Sequence, residues 1–315
     1  MDLPLANGLK IGLMTSFPNK QESRAQIETL ESLGYDSAWV GDHIAFPVPI
    51  LDSLSQLAYA AALTDKLTLG TCVYLLPLRH PTPVAKQVAT IDRLAEGRLI
   101  FGVGIGGEFP NEYASCGIPV KERGPRLGES MEVLKALWQG EPADYEGQFF
   151  LLNQVNMQPT PMQAGGPPMW CGGRSEAALK RTGRLADGWV SYAITPAMFR
   201  DGMQTIAQSA QQHQRDIQQF GTGHLLFMRL DKSYDEAWDK ATEHLSRRYG
   251  MDFRKAAQRY AALGSPSDVA ERISEYFEAG VRHIMLDLTG PAADRDEQTQ
   301  QFAEEVMPLI SGLGA

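Results

Sequence analysis

FGVGIGGEFPNEY, residues 101–113, is the stretch whose reading decides the fold. Gly102, Gly104 and Gly107 stand at the spacing of a dinucleotide fingerprint. A Rossmann glycine loop follows the first strand and opens a helix directly. Here Gly107 is followed by Glu108, Phe109 and Pro110, and the next clear helical pattern starts near Arg126. The glycines also end a fourth apolar run, not a first one. They therefore read as a strand end where missing side chains let a flat ligand approach the backbone, with Gly104 and Gly106 as contacts.

Outward from that run, short apolar segments alternate with helical patterns along the chain. Strands are expected at 9–14, 36–40, 67–73, 98–104, 168–173, 188–192, 224–231 and 282–288. Between them Val84, Val88, Ile91 and Leu94 repeat at helical spacing, as do Leu127, Met131, Leu134 and Leu137. In GSPSDV, Ser265 is placed to cap a helix, Pro266 suits its first turn, and Asp268 completes a capping pattern. Strand-to-strand spacing is about 30 residues, as βαβ units require. The expected fold is one α/β domain over residues 1–315, a (β/α)8 TIM barrel. A hairpin at 143–159 precedes the fifth strand, and a polar segment at 232–262 is inserted after the seventh.

Composition narrows the function. The chain has 315 residues, 43% of them hydrophobic, and a net charge of −9, which disfavours nucleic acid as a partner. Its three cysteines lie far apart, with neither metal-ligand spacing nor a disulfide framework. The beginning MDLPLANGLKIGLM lacks a basic region followed by an apolar run, and no run of about 18 uncharged apolar residues occurs. A cytoplasmic protein with no membrane partner and no metal is expected.

Five blocks in order resemble the bacterial luciferase-like family of flavin-dependent oxidoreductases: LGYDSAWVGDH, LRHPTPVAKQVATIDRLAEGRLIFGVGIGG, GIPVKERGPRLGESMEVLKALW, PPMWCGGRSEAALKRTGRLADGW and GSPSDVAERISEYFEAGVRHIML. The resemblance covers nearly the whole chain. It implies a (β/α)8 barrel that uses reduced FMN or the deazaflavin coenzyme F-420. It also implies a non-prolyl cis peptide at Cys72–Val73, forming a bulge behind the flavin ring. The other reading of Cys72 is an ordinary buried small side chain.

His43 lies at the C-terminal end of the second strand, the face where such barrels carry their sites. It is expected to hydrogen-bond a reacting oxygen or move a proton; the alternative is a ring merely fixed by Asp42. GGEFPNEY is similar to a loop of deazaflavin-dependent sugar-phosphate dehydrogenases, which implies proton transfer by Glu108, with Asn111 close by; the alternative is a solvated loop. Phosphate binding is expected at CGGRSEAAL, where Gly172, Gly173, Arg174 and Ser175 open a helix. Arg123 resembles a second phosphate-contacting arginine, or else forms a surface ion pair. His80 is a further family-like position or a loop-packing group. Some of Trp39, Phe46, Tyr74, Phe109, Trp189 and Tyr192 are expected to shield a reduced flavin.

The resemblance implies a monooxygenase that takes reduced FMN from a separate flavin reductase and inserts oxygen from O2 into a small organic substrate. Its alternatives are a deazaflavin-dependent dehydrogenase or reductase and a non-catalytic flavin-binding relative. A homodimer or homotetramer is expected.

Overall fold

The computed structural model describes residues 8–106, 109–217 and 219–314. Eleven strands occur among them: β1 Lys10–Met14, β2 Ser37–Val40, β3 Thr68–Thr71, β4 Leu99–Val103, β5 Ala143–Glu146, β6 Leu151–Val155, β7 Met169–Gly172, β8 Gly188–Tyr192, β9 Gly221–Leu230, β10 Ala262–Gly264 and β11 His283–Leu288. Eight of them form a closed parallel barrel in the order β9-β11-β1-β2-β3-β4-β7-β8, with β8 returning to β9. Helices surround it, so the expected TIM barrel is the observed fold. β5 and β6 are the expected antiparallel hairpin before the fifth barrel strand. The insert after the seventh barrel strand holds helices Tyr234–Tyr249 and Arg254–Tyr260, and then β10, which pairs with the end of β9.

Local sequence accounts for the helices. Pro81–Leu94 and Arg123–Leu137 carry the two predicted apolar stripes, although Leu94 itself is exposed. The helix Pro266–Glu278 has the full capping box: Ser265 Oγ accepts from the Asp268 N–H, and the Asp268 carboxylate accepts from the Ser265 N–H. One expectation fails. The first helix after the glycine loop is not near Arg126; a six-residue helix, Pro110–Ser115, precedes it. Pro110 presets its first turn, and the Tyr113 hydroxyl ties it to the Ile105 carbonyl at the end of β4.

The barrel interior is filled by two indoles. Trp39 and Trp170 lie with ring centroids 5.7 Å apart, each edge-on to His283. Glycines make room for them. A side chain at Gly12 or Gly70 would overlap Trp39, and one at Gly188, Gly221 or Gly223 would overlap Trp170. Five strand positions are therefore emptied so that two large side chains can close the centre, which leaves chemistry to the C-terminal mouth.

Candidate active site

The Cys72–Val73 bond is cis, as expected, and lies at the mouth just past β3. The opening glycines serve this bulge. A Cβ on Gly102 would overlap the Thr71 carbonyl, and one on Gly104 would overlap Val73 Cγ2. At Gly106, with φ +55°, a Cβ would lie 3.0 Å from both Leu75 methyls. At all three glycines the space that a Cβ would take is occupied by neighbouring protein groups, because the third strand is pressed against the fourth. Gly172 packs on the same valine, with a Cβ position 3.1 Å from Val73 Cγ1. Burial, reinforced by the Asp287 charge, pushes the Cys72 thiol up, so it is a protonated wall group.

His43 follows β2 by three residues. Its Nδ1 lies 3.2 and 3.3 Å from the two Glu112 carboxylate oxygens. Glu112 is buried, 1% exposed, on the short helix Pro110–Ser115. One of its oxygens also accepts from the Ile44 and Ala45 N–H groups at 2.5 and 3.2 Å. With the carboxylate as acceptor, Nδ1 is the donor and Nε2 has no partner among the described residues. Phe46 stacks on the imidazole at 4.0 Å, and Phe109 stands edge-on to both rings.

Glu112, not Asp42, fixes this histidine. Asp42 is taken up on the other side of the strand, where Arg79 donates to both its oxygens at 2.5 and 2.8 Å and Ser53 Oγ and the Leu75 N–H complete the shell. Glu112 is the residue that the sequence reading missed. The signal was Pro110, which starts a helix that carries Glu112 two residues on. Glu108, expected as the carboxylate here, lies outside the described residues.

Across the mouth the insert is latched down. Arg248 donates to both Asp287 oxygens at 2.6 and 3.2 Å and to His244 Nε2 at 2.9 Å. His244 Nδ1 in turn donates to the Gly290 carbonyl at 2.6 Å. The Tyr249 and Tyr192 hydroxyls hydrogen-bond to one another. Trp39, Tyr74 and Trp189 prove to be core residues; Phe46, Phe109 and Tyr192 remain half-exposed at the rim. His80 caps the helix Pro81–Leu94 and meets Phe150 edge-on.

The expected phosphate residues divide. Arg123 and Ser175 share a cavity of about 440 Å3 with Lys121 and Arg181. Two helices begin at it, Arg123–Leu137 and Glu176–Leu185, the second capped by Ser175. Arg181 Nε is buried there without a partner. Two helix N-termini, three cations and a buried Arg181 Nε without a partner give this cavity the chemistry that could hold an anionic group. Arg174 is elsewhere: it donates to the Ala193 carbonyl at 2.5 Å and lines a separate cavity with Trp189 and Asp201. Gly173, with φ +117°, makes the sharp turn into the helix. Arg123 forms no ion pair among the described residues; the surface pair in this segment is Arg126–Glu122.

The family model described as luciferase-like monooxygenase matches residues 5–283. An F420-dependent glucose-6-phosphate dehydrogenase of Kineococcus radiotolerans is 26% identical, with 98% of this chain and 97% of that one covered. A 5,10-methylenetetrahydromethanopterin reductase of Methanopyrus kandleri is 24% identical, with 90% and 93% covered. The same fold appears in an F420-dependent secondary alcohol dehydrogenase (TM-score 0.83, 20% identity, 96% and 99% covered) and in a Streptomyces bottropensis monooxygenase (TM-score 0.80, 24% identity, 95% and 99% covered). Among the described residues no helix is long and apolar enough to cross a membrane. With its barrel, its bulge after β3 and its cation-lined cavity, the chain belongs to the luciferase-like family of oxidoreductases.

Proposed function

We propose that the protein is a deazaflavin-dependent dehydrogenase or reductase that moves hydride between coenzyme F-420 and a small alcohol, carbonyl or imine-type substrate. The observation that carries this reading is the His43–Glu112 pair. A buried carboxylate that holds an imidazole with Nε2 free is suited to proton transfer at a substrate oxygen or nitrogen. The names of the curated relatives weigh the same way, and against the FMN monooxygenase expected first. On this reading neither O2 nor a separate flavin reductase takes part.

The coenzyme, when bound, supplies the hydride-accepting or hydride-donating carbon. Lys121, Arg123, Arg181 and the N-terminus capped by Ser175 would hold its phosphate. The backbone at Cys72–Val73 would support its ring from the third strand. His43 Nε2 accepts the hydroxyl proton when an alcohol is oxidised and returns it when a carbonyl is reduced. Glu112 stabilises the imidazolium that forms and keeps the ring from turning. Phe46 and Phe109 exclude water from the imidazole, and the insert latched by Arg248 and Asp287 closes the far side.

The test is a titration of the purified protein with coenzyme F-420 and with FMN in both redox states. Tight binding of F-420, weakened about ten- to a hundredfold by Arg181→Ala, is the expected result. Binding of FMN alone would overturn the reading.

A further inference from the structure

At the opposite end of the barrel, the N-terminal floor, a third cavity, of about 420 Å3, opens among Lys10, Tyr35, Asp36, Lys66, Thr68 and His283. A hydrogen-bond chain runs into it from the core. Trp39 Nε1 donates to Ser37 Oγ at 2.7 Å, and Ser37 Oγ lies 2.7 Å from His283 Nε2. An indole N–H can only donate, so it takes one of the two lone pairs of Ser37 Oγ, and the hydroxyl proton has no acceptor among the described residues other than His283 Nε2. With the hydroxyl proton on that contact, Nε2 accepts and Nδ1 carries the ring proton. His283 is 7% exposed, and Nδ1 has no partner among the described residues. The ring stands edge-on to Trp39 and Trp170, which fixes its direction. Burial holds its pKa down to about 4, so it stays a neutral donor at physiological pH.

The other groups define what this donor meets. Lys10 is neutralised by Asp36 at 2.8 Å. Lys66 forms no ion pair among the described residues, and the Thr68 hydroxyl is likewise unengaged. The cavity therefore has one surplus positive charge, a fixed N–H and a hydroxyl. Ile100 and the Tyr35 ring give it an apolar side.

We infer that the barrel floor is a second ligand site, separate from the mouth, which takes a small monocarboxylate. The carboxylate accepts from His283 Nδ1–H and Thr68 Oγ1–H and pairs with Lys66, while its hydrocarbon part lies against Ile100 and Tyr35.

Butyrate is the probe, with butanamide as its uncharged counterpart and inorganic phosphate as the competing anion. Calorimetry measures affinity, and the imidazole nitrogen resonances of His283 report the position. Butyrate is expected to bind and shift the His283 signals, with butanamide weaker by about tenfold or more. Lys66→Gln, an exposed position that spares the core, should weaken butyrate about tenfold, and Thr68→Val should weaken it less. Equal binding of butanamide, unchanged affinity in Lys66→Gln, a still His283 resonance, or phosphate binding more tightly than butyrate would each overturn the inference.

Discussion

Asp42 and His43 are neighbours in sequence and opposites in use. Each belongs to a pair of one carboxylate and one base. At Asp42 every bonding direction is filled by Arg79, Ser53 and Leu75, and its side chain is fully buried. At His43 the carboxylate partner is also held by two backbone N–H groups, but the imidazole is 20% exposed and keeps Nε2 open to the mouth. Side chains alternate along extended backbone, so one residue turns to the wall and the next to the cleft. The difference teaches that the kinds of group present do not make a site; an unfilled valence does.

The largest effect is expected at the filled pair. Asp42→Ala leaves the Arg79 guanidinium in the wall without its partner, and should cost about 3–5 kcal/mol of folding stability. Arg79→Met added to Asp42→Ala should recover part of the loss by removing the orphaned charge. Urea unfolding of the single and double variants checks both. A loss below about 1 kcal/mol for Asp42→Ala would place that pair with ordinary surface ion pairs and break the comparison.

The buried histidines sharpen it next. Burial lowers His283 to about 4 and His224, with help from the Arg272 charge, to about 3. Both are neutral when folded, so their stability contribution is whole above the unfolded value near 6.5. Below it the unfolded chain binds protons that the native chain does not, and stability falls with pH down to the folded values. For His283 the loss approaches about 3 kcal/mol at pH 4. His283→Gln should flatten that part of the urea-stability profile between pH 6.5 and 4. An unchanged slope would show that the carboxylates alone govern acid unfolding.

The barrel was legible because its evidence is repetitive. Eight apolar runs at regular intervals need no single residue to be read correctly, and hydrophobic period and capping chemistry act locally. The site was only partly legible, since its groups meet across long separations. Arg79 reaches Asp42 from 37 residues away, and Glu112 reaches His43 from 69. No period records such encounters. Arg181 escaped for another reason: nothing in sequence separates an arginine turned to solvent from one turned into a cavity. Arg174, beside two glycines, looked better placed, yet the turn at Gly173 sends it to the Ala193 carbonyl.

At the open pair the effect should fall on rate. Glu112→Gln keeps an oxygen for the Ile44 and Ala45 N–H groups but removes the charge that balances an imidazolium. Turnover should drop about a hundredfold, with cofactor affinity little changed. His43→Ala should match it, and the double variant should be no worse than either, because the two act as one unit. Multiplicative losses in the double variant would mean that Glu112 works through some other group than His43.

The smallest expected effect uses one methyl group at each end of the barrel. Gly70 and Gly104 are both glycines because a neighbour fills the space where a Cβ would be, Trp39 in one case and Val73 in the other. Gly70→Ala forces the Trp39 indole against Trp170 in a closed core, and should cost about 1–3 kcal/mol of stability while leaving cofactor affinity alone. Gly104→Ala displaces Val73, which lies at the mouth and is only partly buried. The side chain can shift outward, so the stability loss should be smaller and should appear as weaker cofactor binding. Thermal unfolding and a cofactor titration on the same two proteins separate the outcomes. If both substitutions reduced stability equally and left binding untouched, the bulge after β3 would be as closed as the indole layer, and the contrast between core and mouth would end below it.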